Sequence, residues 1–413
     1  MKGTTTTNEK NLLVACTWVA AQYTRRGGKG ASVSDTPKRL REWVTWKRLT
    51  GFDRVYLYDN SQVGDHSDED FDESEMPLRK IANLFPDFVT WIRWPVKACN
   101  NNFIGGRWPG ERSSQYSAEA SCRERFGPQT EWMTFLDIDE MLVPLNNQTT
   151  WRHPLLEKRE KWSVLGFRES RARPRFELLT KPSDAQLCSR NEGRLESTGT
   201  ALGDVFGEKQ NPTCLVADPS SHQTYLELYN CDGIRPPRPW KYFVNMKQIY
   251  RPSFVLSHFI HYAVITRPMA KYYNDPSRRL SPFQRRPSQT EKFVLLFAWP
   301  PHYKRFAHSP VFLCRGLVFV EEEREGIMLH ARSVLGYQTS EWKIDCALNS
   351  TRYCAVGFSC PSSTAYDDSL VDKNSFMDDH GRYCNCWRNP QIENWVPKLQ
   401  AALGDMAVPI NQA

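Results

Sequence analysis

The sequence predicts an α/β fold with a mostly parallel central sheet flanked by helices and a cysteine-rich C-terminal extension. Three observations carry this. Short apolar, partly β-branched runs alternate with helix-period segments from Leu12 to Leu136, and such alternation argues for a parallel sheet covered by helices. Two of the runs end in acid, at Asp59 and at Asp137; ligands of such sheets bind outside the carboxyl ends of the strands. Six of the twelve cysteines lie between Cys314 and Cys386, which marks the end of the chain as a separately stapled region.

Leu12 to Val19 is short and apolar, the pattern of a buried strand. Thr36-Pro37 then supplies an N-cap and a proline at the first helical position. Leu40, Trp43, Val44 and Leu49 follow at helical spacing, and Gly51 stops the helix. Arg54 to Tyr58 is a second strand, closed by the turn chemistry of Asp59-Asn60-Ser61. A helix over Leu78 to Leu84 leads to a third strand, Phe88 to Trp94. A Gly/Asn/Arg-rich loop, Lys97 to Arg112, precedes a helix from Ser114 to Phe126 and the strand Trp132 to Leu136. After about residue 165 the pattern is irregular, with proline and arginine gathered at 171–182, 235–241 and 276–287, and no repeat is visible.

The 413 residues, 40% hydrophobic and 12% aromatic, suffice for a substantial core and argue against disorder over most of the length. A net charge of +7 is mild and dispersed, which argues against a nucleic-acid partner. Twelve cysteines with the sequons Asn147-Gln148-Thr149 and Asn349-Ser350-Thr351 lean toward an oxidising secretory lumen. The apolar run Leu12 to Ala21 is too short to span a bilayer and lacks the shape of a cleavable signal. Any membrane attachment is therefore expected through an anchor missing from this chain.

The sharpest motif is Trp132 to Leu142, an apolar strand running into Asp137-Ile138-Asp139-Glu140. If the strand persists, period-two geometry places Asp137 and Asp139 on one face and Glu140 on the other, in a supporting role. Paired carboxylates repel unless a cation joins them. Mn²⁺ or Mg²⁺ takes such oxygen ligands together with substrate phosphates, and neutralises a departing nucleoside diphosphate. The alternative is a solvent-facing turn.

Three passages resemble glycosyltransferase family 92. They are Gly51 to Ser61 after a Trp-rich helix; Gln115 to Cys122 and Arg125, with Trp132 and Phe135 to Leu142; and, more loosely, Lys247 to Pro252 with Val255 and His261. The resemblance spans roughly residues 12 to 265, and more loosely to 345, and implies a GT-A fold. It also implies a UDP-linked donor, with galactose the expected sugar, and a glycan or glycoprotein acceptor in the Golgi or another secretory lumen. Carried onto this chain, Asp137 contacts donor ribose and metal, Asp139 is the principal metal ligand, and Asp59 with Asn60 helps hold the uridine. The implied division is a nucleotide-sugar-binding and catalytic core over 1–265 and an acceptor-side, cysteine-rich region over 266–413. The late His-Tyr element of the family has only a partial counterpart in Leu329-His330-Ala331-Arg332.

His261 is the expected third metal ligand, with His258 and His330 as alternatives; any of them also reads as a core histidine held by backbone groups. Cys384-Asn385-Cys386 reads as disulfide chemistry with Cys346, Cys354 and Cys360, or as a zinc site without the usual spacing. Residues 266–310, with nine Lys/Arg against two Asp/Glu, form a solvated basic face or attract an anionic acceptor. Residues 65–75 hold seven carboxylates and read as a solvated loop. Trp108 and Trp240 are candidates for stacking on a sugar, whereas Trp18, Trp43 and Trp46 fall in core patterns. A general base is unassigned among Glu169, Glu177, Asp204 and Asp232. The competing functions are a metal-dependent nucleotidyltransferase or sugar hydrolase using the same carboxylates, and a secreted carbohydrate-binding protein with an inactive transferase fold.

Overall fold

The computed structural model describes residues 10–19, 36–61, 76–96, 111–146, 148–172, 178, 214–216, 223–230, 246–259, 262–266, 317–331, 336–338, 376–377, 383–384 and 389–404. Its strands are β1 (Asn11–Val19), β2 (Arg54–Asp59), β3 (Val89–Arg93), β4 (Thr130–Phe135), β5 (Glu140–Pro144), β6 (Val164–Arg171), β7 (Cys214–Val216), β8 (Met246–Tyr250), β9 (Val255–Phe259), β10 (Tyr262–Thr266), β11 (Leu317–Phe319), β12 (Gly326–His330), β13 (Gly336–Gln338), β14 (Phe376–Met377) and β15 (Tyr383–Cys384). The helices are α1 (Thr36–Leu49), α2 (Pro77–Asn83), α3 (Glu111–Phe126), α4 (Arg152–Lys158), α5 (Tyr225–Leu228), α6 (Pro390–Glu393) and α7 (Val396–Gly404).

Among the described residues, nine strands form the main sheet in the order β3-β2-β1-β4-β8-β6-β12-β5, with β11 beside β6. The run β3-β2-β1-β4 is parallel throughout. β8 lies antiparallel between β4 and β6, and β12 pairs parallel with β6 and antiparallel with β5. The mixed α/β architecture with a mostly parallel centre is thus as expected. Each element expected up to Leu136 is present, with ends shifted by a few residues.

β1 shows why its sequence is apolar at consecutive positions. Leu13, Ala15 and Val19 face one core cluster with Trp43 and Val44 of α1 and Leu78 of α2. Val14, Cys16 and Trp18 face another, with Ala118 and Cys122 of α3. A central parallel strand is covered on both faces, so it has no polar side to show. A disulfide between Cys16 and Cys122 ties β1 to α3 across the second face. Nothing in the spacing of the twelve cysteines singles out that pair. Gly51, at φ +85°, ends α1 in the left-handed region that favours glycine, and a Cβ there would lie 2.7 Å from that of Thr150.

β5 ends the sheet. Its outward carbonyls are met by three indoles: Trp43 Nε1 donates to Glu140, Trp46 Nε1 to Leu142 and Trp395 Nε1 to Pro144, each at 3.0 Å. A period-two row of acceptors is thereby satisfied by side chains of α1 and the α6–α7 connection, and the edge is closed to further strands. Strands from both sides of residue 265 share this sheet, and α7 reaches α1, where Arg41 Nη2 donates to the Leu403 carbonyl at 2.9 Å.

Candidate metal centre

The acidic motif follows β4, at the carboxyl end of the parallel run. β4 ends at Phe135, and Leu136 still donates its N–H to the Cys16 carbonyl of β1. The chain then turns: the Glu140 N–H donates to the Asp137 carbonyl at 3.0 Å. This corrects the expectation of a persisting strand with Glu140 on the far face. A four-residue turn brings positions 137 and 140 together, and Glu140 faces the same cluster as its neighbours. Its Oε2 accepts from the Asp137 N–H at 2.9 Å, which locks the turn from inside.

Other elements converge on the turn. From β8, the buried Lys247 places Nζ 2.9 Å from Glu140 Oε2 and 3.8 Å from Asp137 Oδ2. From α3, Gln115 Nε2 donates to Asp137 Oδ1 at 2.6 Å. From β12, His330 stands in register with Glu140; its Nε2 lies 3.3 Å from Asp139 Oδ2. The backbone repeats that link, since the Ala331 N–H donates to the Asp139 carbonyl at 2.8 Å. Arg39 of α1 braces it by donating to the Ala331 carbonyl at 2.7 Å.

One ligand atom from each of Asp139, Glu140 and His330 lies within 4.8 Å of the others. Carboxylate oxygens with an imidazole nitrogen suit a divalent ion such as Mn²⁺. The three are not equivalent. Asp139 and His330 keep part of their side-chain surface open, 23% and 11%, whereas Glu140 keeps 2%. Burial pushes the Glu140 carboxyl well above the usual carboxylate range, and Lys247 beside it pulls it back. Of the three, Asp139 and His330 are thus the side chains open to an incoming ion, with Asp137 alongside and Glu140 behind.

Asp59 and Asn60 sit at the end of β2, two strands along the rim from β4, across β1. The buried Asp59 carboxylate accepts from the Ser61 N–H at 2.9 Å and from Trp91 Nε1 at 3.0 Å. Burial raises its pKa, and those bonds oppose the rise. Asn60 Nδ2 donates to the Val96 carbonyl at 3.3 Å and to Ser114 Oγ at 3.1 Å, joining the β3 exit to α3. Both residues shape the rim, and they are not in the acidic cluster.

His258 faces α3, where its Nδ1 meets Glu119 Oε1, and its ring stacks on Tyr250 at 4.4 Å. It belongs to the core. It lies on β9, an extended segment. His261, Glu177, Asp204, Asp232, Trp108, Trp240, Asn147, Asn349, the acidic stretch 65–75, the basic stretch 267–310 and Cys314, Cys346, Cys354, Cys360 and Cys386 lie outside the described residues, as does the side chain of Glu169. Sequence reasoning missed Lys247 and Gln115 as site residues and ranked His330 behind His261. The partial His-Tyr element at Leu329-His330 was the available signal for His330. For Lys247, the available signal was its place at the head of the family-like passage Lys247 to Pro252.

Residues 32–172 match the model of glycosyltransferase family 92. The match covers α1 through β6, including the acidic turn, so the resemblance read from the sequence holds over that span and supports a glycosyltransferase. No curated protein matches the chain. Among solved structures, a 4-diphosphocytidyl-2C-methyl-D-erythritol synthase from Anaerococcus prevotii DSM 20548 is 10% identical with a TM-score of 0.21, over 43% of this chain and 60% of that one. An apo UDP-glucose pyrophosphorylase is 12% identical with a TM-score of 0.22, over 39% of this chain and 64% of that one. The chain thus spans less than two thirds of either, and likenesses this slight carry no argument about chemistry.

Proposed function

We propose that the protein is a metal-dependent glycosyltransferase that moves a hexose, galactose by family resemblance, from a UDP-sugar to a glycan or glycoprotein acceptor. One observation carries the reading: within the stretch that matches the family, the Asp137–Glu140 turn meets His330 at the carboxyl end of the parallel sheet. The reaction breaks the bond between the sugar C1 and the diphosphate oxygen and forms one between C1 and the acceptor hydroxyl oxygen. UDP leaves, and the hydroxyl proton passes to a base.

Asp139 and His330 would hold Mn²⁺ or Mg²⁺, with Asp137 between the ion and the donor ribose. His261, the ligand expected from the family position, competes with His330 for the third place. A cation bound there would neutralise the charge that develops on the departing diphosphate. The chain's own part is orientation. Gln115 fixes the Asp137 carboxylate, Glu140 fixes the Asp137 N–H, and Arg39 fixes the strand end that carries His330. Asp59 and Asn60 hold the neighbouring rim, where the uridine would lie. The two sequons and the Cys16–Cys122 disulfide suit a secretory lumen such as the Golgi. No helix among the described residues is long and apolar enough to cross a membrane.

The test is UDP release from a panel of UDP-sugars, without acceptor, with Mn²⁺ or with EDTA. Release from one sugar, dependent on Mn²⁺, supports the reading. Release of pyrophosphate in place of UDP would move the protein to the nucleotidyltransferases, and no release with intact sugar binding would make it a binding protein.

A further inference from the structure

The acidic turn already holds a cation of its own. Lys247 lies on β8, in the middle of the sheet, in register with Phe167 of β6. A strand position this central normally carries an apolar residue, and Ile249, two residues on, joins the core. The Lys247 side chain is only 1% exposed. A buried ammonium is costly unless it is paired, so its position is informative. It reaches the end of the sheet and meets Glu140 at 2.9 Å, with Asp137 at 3.8 Å.

Glu140 uses the same oxygen, Oε2, for Lys247 and for the Asp137 N–H. The ammonium, the carboxylate and the turn backbone form one unit. Because both donors meet on one oxygen, displacing the ammonium would free the carboxylate that holds the turn. The same positive charge lies close to the carboxylates that would receive a divalent ion, so it opposes the ion's entry.

We propose that Lys247 is a positioning residue for the acidic turn: it holds Glu140 as the clamp on the Asp137 N–H, and its charge limits how tightly the turn takes a divalent cation. Glu140 is then a fixed strut, and the ion is left to Asp139 and His330, with Asp137. The inference rests on the metal-centre reading above and adds to it the group that tunes the centre.

The experiment is a titration of the acceptor-free protein with Mn²⁺ alone, read by the paramagnetic resonance of the free ion, with the melting temperature of each variant measured in parallel. Lys247→Met removes the charge and strands Glu140. It should melt lower than the wild type yet bind Mn²⁺ severalfold more tightly. Lys247→Met combined with Glu140→Gln removes both charges and should recover most of the melting temperature and a near-wild-type Mn²⁺ affinity. A purely structural lysine would lower the melting temperature without tightening the ion. Unchanged Mn²⁺ affinity in folded Lys247→Met, or a double variant no more stable than the single, overturns the inference. Should the wild type take up no Mn²⁺ while Lys247→Met gains it, the inference stands and metal-dependent transfer falls. If neither binds the ion, the inference falls as well. Mn²⁺ binding that follows the expected order without any release of UDP refutes only the transferase reading.

Discussion

His330 Nε2 lies 3.3 Å from Asp139 Oδ2, and the two residues are joined again through the backbone bond from Ala331 to the Asp139 carbonyl. A histidine from β12 is thereby fixed to the tip of an acidic turn that follows β4. The double link matters because a ligand pair must be held in place before an ion arrives, and backbone hydrogen bonding does this at little cost in side-chain entropy.

The first prediction concerns the histidines. His330→Ala should raise the Mn²⁺ concentration needed for half-maximal UDP release by at least about tenfold, the lower end of what losing an outer-sphere partner does to a metal site. His258→Ala should leave that requirement alone and lower the melting temperature, because His258 pairs with Glu119 inside the core. His261→Ala decides between the two candidate ligands. A normal Mn²⁺ curve for His330→Ala together with a raised one for His261→Ala would return the third place to His261.

How far the sequence reached is visible in this same site. Asp137 and Asp139 were legible because a strand running into acid is a local pattern, and the parallel half of the sheet was legible through its alternation of periods. The position of Glu140 was not. Parity along a strand puts residues 137 and 140 on opposite faces, whereas the bond from Glu140 N–H to the Asp137 carbonyl turns the chain and brings them together. Lys247 and His330 arrive on β8 and β12, and no local spacing reveals which strands will neighbour β4 and β5. The roles of Trp43 and Trp46 were half legible: helical spacing marked them as core, but only the sheet order shows that their indoles close the β5 edge.

A second prediction follows from Lys47. This lysine of α1 is wholly buried, with its Nζ 4.7 Å from the centre of the Trp43 ring and 5.2 Å from that of Phe52. Desolvation lowers its pKa to about 7, against a partial opposing pull from Glu140. A lysine depressed in the folded state contributes fully above its unfolded pKa, and that contribution is lost as the pH falls toward 7. At about 1.4 kcal/mol per pKa unit, the loss exceeds the roughly 0.5–2 kcal/mol that its ring contacts return. Lys47→Met should therefore raise the melting temperature, by more at pH 6.5 than at pH 9.5. Thermal denaturation across that range checks it; a gain that grows with pH would contradict the assignment.

The third prediction concerns Cys16 and Cys122. Their bond closes a loop of 106 residues and pins α3, the helix carrying Gln115, to the central strand. Replacing both with alanine should cost about 2–5 kcal/mol. Peptide mapping without reductant should recover the Cys16–Cys122 pair in protein from an oxidising compartment. Two free thiols there would argue against both the bond and the lumenal setting.

The account's central claim is that the acidic turn binds a nucleoside diphosphate through a divalent cation, and calorimetric titration of UDP in the presence of Mn²⁺ tests it most directly. Asp139 is the residue to change, since its side chain is 23% exposed and its backbone bond to Ala331 survives truncation. The wild type should bind UDP with Mn²⁺ and lose most of that affinity in EDTA. Asp139→Ala should keep its melting temperature and bind UDP no better with Mn²⁺ than without it. A folded Asp139→Ala variant that retains Mn²⁺-dependent UDP affinity would contradict the claim.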